Sequence, residues 1–176
     1  MNCLLQTVTA LKSHTRLHKL FELLTLTVLG VLMYVSQVIM ASLTNIELVS
    51  FLVIITARKF GVKALLSVYI FVGLEALTYG LAEWVISYLY IWAVLCLIVC
   101  LLRKIDSCIL FTLVSGIFGL LFGTLCSVPS FVMGGFGYGI SWIIRGIPYD
   151  FLHCFGNLLL TFLLYKPLTK ALDKAI

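Results

Sequence analysis

The side chains able to do chemistry are few, and several stand close together. Asp150, His153, Cys154 and Asn157 recur at i, i+3, i+4 and i+7, so a helix would present them as one stripe. A carboxylate, an imidazole and a carboxamide on one face offer a polar ligand complementary donors and acceptors. The same residues also suit a structural role, with Asp150 capping a helix just after Pro148 while His153 and Asn157 bond neighbouring helices. Glu75 lies near the middle of an apolar run, with Thr78 and Tyr79 a turn away. An ionisable group there either lines a polar cavity or is a protonated acid bonded to the next helix. Asn45 and Glu47 stand together at the end of another run, and Tyr88 and Trp92 share a helix face at a similar depth. These aromatics are either cavity walls or members of an interfacial belt. No catalytic pattern is present: there is no HExxH, no GxSxG and no visible nucleophile–base pair. The run Met133 to Gly139 lacks the Lys-Ser/Thr ending of a phosphate loop. His14 and His18 are spaced i, i+4 but lie among basic residues that would repel a metal, and the six cysteines include no CxxC, so no metal site is expected. Cys126 and Cys154 are read as free thiols.

The elements that position these groups must lie in lipid. Of 176 residues, 62% are hydrophobic and 11% charged, against about 45–50% and about 25% in an ordinary soluble domain. Twelve Lys and Arg with seven Asp and Glu cannot cover a water-soluble surface of this size. The composition predicts a single all-α integral membrane domain over 1–176 and excludes soluble enzymes and secreted disulfide scaffolds. The net charge of +5 does not indicate nucleic acid, because the basic residues fall in small clusters between apolar runs.

A spanning helix needs about 20 apolar residues, which predicts six crossings near 20–43, 44–57, 64–82, 85–102, 107–128 and 149–168. Charge placement supports the short second one. Lys12, Arg16 and Lys19, then Arg58, Lys59 and Lys63, then Arg103 and Lys104, then Lys166, Lys170 and Lys174 all fall on one face when the chain crosses six times. Only Arg145 is left opposite. By the positive-inside rule both termini are then cytoplasmic, an N-in/C-in topology. Residues 1–19 form the cytoplasmic N-terminus, where Leu4, Leu5, Val8 and Leu11 recur at helical spacing. They are either an amphipathic surface helix or a frayed tail.

The stretch 129–148 is expected to be a long outer loop carrying Gly134, Gly135, Gly137, Gly139 and Gly146, interleaved with Phe131, Phe136, Tyr138, Trp142 and Arg145. A belt needs no cluster of glycines, so a substrate-covering loop is favoured over simple interfacial anchoring. Ser115, Gly119, Gly123 and Ser127 are spaced by four, which lets two helix backbones approach closely, within the chain or against another protein.

Together these features resemble the substrate-binding S components of energy-coupling factor (ECF) vitamin transporters, six-helix proteins of the bacterial cytoplasmic membrane. The resemblance covers nearly the whole chain. Its most specific stretch is Pro148-Tyr-Asp150-Phe-Leu-His153-Cys-Phe-Gly156-Asn157, followed by Leu164-Tyr-Lys-Pro167. Asn45-Ile-Glu-Leu-Val-Ser50 and Tyr88-Leu-Tyr-Ile-Trp92 look closest to the subgroup variously assigned to cobalamin or to queuosine precursors. The resemblance implies a multi-pass binding subunit with no enzymatic activity and no permanent cofactor. It implies capture of a vitamin, cobalamin first, at the outer face. It also implies partners: a transmembrane coupling subunit, two cytoplasmic ATPases and the lipid bilayer. The substrate residues would come from Asn45, Glu47, Glu75, Tyr79, Tyr88, Trp92, Phe136, Tyr138, Trp142, Arg145, Asp150, His153 and Asn157. Many members carry AxxxA on the first helix for docking the coupling subunit; here the stretch reads Gly30-Val-Leu-Met-Tyr34, and Gly30, Ser36 and Ala41 are the small residues available to replace it. The rival is an autonomous proton-coupled transporter using Glu75 with Asp150 or His153 as a relay.

Overall fold

The computed structural model describes residues 2–175, with side chains described over 16–174. The described residues are almost entirely helical, as backbone in lipid must be, since only internal hydrogen bonds can satisfy it there. The helices are α1 (Asn2–Ile39), α2 (Val49–Phe60), α3 (Leu65–Tyr79), α4 (Glu83–Leu102), α5 (Cys108–Cys126) and α6 (Val128–Ala175), with a short 3-10 turn, Gly61–Ala64, between α2 and α3. Five helical stretches are long and apolar enough to cross a membrane: Arg16–Ile39, Val49–Tyr79, Glu83–Leu102, Cys108–Cys126 and Val128–Lys174. The second of these contains α2 and α3, which the sequence reads as separate crossings; Gly61, at φ +62°, interrupts the helix between them. The face presented by Leu4, Leu5, Val8 and Leu11, and the side chain of His14, lie outside the described residues.

The bundle has two chemically distinct ends. At one, Arg58 meets Asp106 at 2.5 Å, Lys59 meets Asp173 at 2.6 Å and Lys63 meets Glu22 at 2.7 Å. At the other, Asn45, Glu47, Trp84, Tyr88, Tyr149 and His153 gather. Helices α1 and α3 advance in the same direction. Their contacts step from Glu22–Lys63 through Ser67 Oγ donating to the Leu26 carbonyl (2.6 Å) to Tyr34 Oη and Thr78 Oγ1 (2.7 Å). Helices α5 and α6 run antiparallel over the most extensive interface in the molecule. Between the ends, Phe71, Tyr88, Trp92, Phe118 and Phe122 interlock edge-on and tilted, with centroids 5.3 to 6.3 Å apart.

The spacing of Ser115, Gly119 and Gly123 finds its partner inside the chain. A Cβ on Gly119 would stand 2.9 Å from the backbone of His153 and Cys154, and one on Gly123 would stand 2.6 Å from the Asp150 carboxylate. Ser115 bonds α6 through two groups, its carbonyl accepting from Asn157 Nδ2 and its hydroxyl from Thr161 (3.0 and 2.9 Å). Ser127 instead turns back onto its own helix, donating to the Thr124 carbonyl at 2.7 Å. Gly119→Ala should therefore push two backbones apart and cost about 1–3 kcal/mol. Gly73→Ala on α3, where nothing lies within 4 Å of the new methyl, should be neutral or stabilise by about 0.5–1 kcal/mol. Unfolding of the two variants in mild detergent compares them directly.

Two expectations are corrected. The 129–148 stretch is not a loop: it is helical within Val128–Ala175, broken only at Gly135, where φ is +74°. Residues 128–134 fold back there, so that Gly139 lies against the ring of Phe131 and the Phe131 and Phe136 rings stand 6.0 Å apart. Glycines that end helices in water are tolerated here because an unsatisfied backbone costs more than their flexibility. Two of the three small residues offered for docking are also buried within the chain. Gly30 is buried against the Ser67 carbonyl and Ile70 of α3, and Ser36 is buried and donates to its own Met33 carbonyl. Ala41 is exposed in the turn after α1 and lines a cavity.

Candidate binding chambers at the aromatic end

The turn between α1 and α2 brings the first polar groups into place. Asn45 adopts φ +55°, a left-handed conformation that asparagine accepts better than most residues. Its Nδ2 donates to the Tyr149 carbonyl of α6 at 3.2 Å. Two residues on, Glu47 takes the place of a missing N-cap: Leu48 offers α2 no side-chain cap, and Glu47 Oε2 accepts from the Ser50 N–H at 2.9 Å. Its other oxygen meets His153 Nε2 at 3.0 Å, with the two side chains only 9% and 3% exposed. The His153 ring also packs edge-on against Phe122 at 4.6 Å.

These ties frame two chambers. The first, about 390 Å³, lies between α4, α5 and α6 at the aromatic end. Its aromatic walls are Trp84, Tyr88, Phe122, Tyr138, Trp142 and Tyr149; Arg145 and Asp150 give it one group of each sign. Asp150 is held by the Gly123 N–H, which donates to Oδ1 at 2.8 Å, and the absence of a side chain at Gly123 is what admits it. The second chamber, about 310 Å³, lies under the α1–α2 turn and is more polar, with Gln37, Asn45, Glu47, Trp92 and His153 in its walls. Asn45, Tyr88 and Phe122 belong to both. All three tryptophans of the chain line one chamber or the other. Both volumes sit at the small end of the range for ligand pockets, about 300–1,000 Å³. The hydroxyl of Tyr90, on a different face of α4, donates to the Leu125 carbonyl at 2.6 Å.

Of the residues expected to meet a ligand, Asn45, Glu47, Tyr88, Trp92, Tyr138, Trp142, Arg145, Asp150 and His153 are brought together in these walls. Asn157 is not, because its amide is committed to the Ser115 carbonyl within the α5–α6 interface. Phe136 is 77% exposed and stands outside both chambers, and Tyr79 packs against Trp84 from outside, centroids 5.4 Å apart. Glu75 is buried at 1% exposure on α3 but lines neither chamber, and its Oε1 has no partner. Asp150 caps no helix, since α6 continues through Pro148. Trp84, Phe122, Tyr149 and Gln37 are wall residues not foreseen. Gln37 carried a usable signal, a carboxamide inside a long apolar run. Cys126 and Cys154 are free. Among the described residues no three His, Cys, Asp or Glu side chains gather as a metal site.

No family model matches the chain, and no curated protein or solved structure matches it.

Proposed function

We propose that the chain is the substrate-binding subunit of an ECF-type importer. It would capture a vitamin-sized nutrient at its aromatic end and pass it inward with a transmembrane coupling subunit and two ATPases. The observation that carries this reading is the pair of chambers at one end of an apolar bundle, walled by all three tryptophans and framed by buried polar ties. The opposite end carries the ion pairs of Arg58, Lys59 and Lys63, which the positive-inside rule assigns to the cytoplasm. This supports six crossings with both termini inside: α2 leads from Glu47 at the aromatic end to Lys59 at the charged end, and α3 returns from Lys63 to Thr78. On this reading the chain sits in the bacterial cell membrane with the chambers facing outward.

Chamber size bears on the ligand. A corrinoid far exceeds a drug-sized molecule, so about 390 and 310 Å³ favour the smaller alternatives, another vitamin or a queuosine precursor, over cobalamin. The proton-coupled rival finds less support. Its three groups are dispersed: His153 is paired with Glu47, Asp150 with the Gly123 N–H, and Glu75 lines neither chamber.

Isothermal titration of the purified full chain with water-soluble vitamins, cobalamin and queuosine precursors tests the proposal. One of them should bind with nanomolar affinity; no binding by any would overturn it. Accumulation of substrate by this chain alone in ATP-free vesicles under an imposed pH gradient would establish the rival.

A further inference from the structure

The second chamber contains polar atoms that the protein leaves unanswered. Trp92 Nε1, Gln37 Oε1 and His153 Nδ1 are all buried and have no hydrogen-bond partner, and their residues all line that chamber. Trp92 and His153 are 1% and 2% exposed. Buried polar groups are paired in the great majority of folded proteins, so three such atoms around one cavity call for an occupant. An indole N–H only donates and a carboxamide oxygen only accepts, so that occupant must bring both an acceptor and a donor. Gln37 is oriented by its Nε2, which donates to Tyr88 Oη at 3.4 Å.

Charge narrows the chemistry further. Glu47 is paired with His153, and no other carboxyl group and no lysine or arginine lines the second chamber. A carboxylate or phosphate would meet no free cation there, and a ligand cation would have to displace His153 from Glu47. Arg145 and Asp150 open on the first chamber instead. The rings of Tyr88 and Phe122, shared by both chambers, and of Trp84 and Trp142 beyond them, favour a flat partner.

We infer that the two chambers form one bipartite site for a flat ring system bearing a neutral edge in which a carbonyl stands beside an N–H, as in a lactam or a cyclic ureide. The ring lies among the aromatics, the carbonyl accepts from Trp92 Nε1–H, and the N–H donates to Gln37 Oε1. The inference rests on the binding-subunit reading above and specifies what such a subunit would hold.

The full chain in detergent is titrated calorimetrically with 2-quinolone, N-methyl-2-quinolone and quinoline-2-carboxylate. These probes share a bicyclic ring and differ only at the edge. The lactam should bind, and its N-methyl derivative and the carboxylate should each be weaker by about tenfold or more, as a site built to hydrogen-bond rejects analogues that cannot. Trp92→Phe keeps a ring in the core and removes only the donor; it should weaken the lactam about two- to tenfold, the effect of one lost hydrogen bond, and leave the carboxylate unchanged. Gln37→Leu should do the same from the other side. Equal binding of all three probes, preference for the carboxylate, indifference of the lactam to both substitutions, or no binding at all would each overturn the inference. Lactam selectivity without vitamin binding or coupled uptake would leave the chamber chemistry standing and remove the importer. Tight binding of a nutrient lacking such an edge would do the reverse.

Discussion

Trp142→Ala is expected to weaken ligand binding by about thirtyfold or more while leaving the unfolding midpoint nearly unchanged. The size follows from what aromatic anchors contribute when a ligand buries them, about 2 kcal/mol or more, at about 1.4 kcal/mol per decade of affinity. The selectivity follows from position. Trp142 is half-buried in the wall of the first chamber, outside the interlocked ring cluster of Phe71, Tyr88, Trp92, Phe118 and Phe122. Trp92 is the contrasting case. It touches Phe71, Tyr88, Phe118 and Phe122 at 5.3 to 5.8 Å and is buried. Trp92→Ala should cost about 3–5 kcal/mol in stability and so confound any binding measurement. Calorimetry with the cognate nutrient or 2-quinolone, beside thermal unfolding of each variant, separates the two. An unchanged affinity in Trp142→Ala would remove the first chamber from the site.

Glu47→Ala is expected to destabilise the chain by about 3–5 kcal/mol, because it leaves a buried imidazole facing an empty place. The companion result is more diagnostic. Replacing Glu47 and His153 together by leucine should restore most of that loss, since an apolar pair of similar volume needs no compensation. Recovery should stop about 1 kcal/mol short, because the Ser50 N–H at the start of α2 loses its acceptor as well. A double-mutant cycle read by unfolding in mild detergent measures the coupling. A coupling near zero would mean that the 3.0 Å contact carries no structural energy.

The helices were legible because lipid allows the backbone little choice, and long apolar runs with basic ends have one reading. The stretch 129–148 was misread for the same reason turned around. Rules for glycine learned in water mark Gly134 to Gly139 as a loop, yet only Gly135 leaves the helix. The stripe Ser115, Gly119, Gly123 announced a close approach, but periodicity names no partner; only the fold shows that it is α6. Gly30 illustrates the converse, since a small residue on α1 serves the α3 contact equally well as an outside one. Asp150 and His153 did reach the chambers, while Asn157 on the same stripe turned to the Ser115 carbonyl, because a helix face wider than the cavity puts its last member into packing. Glu47 and His153 lie 106 residues apart, and no spacing rule could pair them.

Because every tryptophan of this chain sits in a chamber wall, its intrinsic ultraviolet emission reports on the cavity from all its indoles. A guest arriving among those rings would quench or shift nearly the entire signal. Filling and emptying could then be timed in membranes without attaching a dye, and single Trp→Phe replacements would tell which half of the cavity fills first.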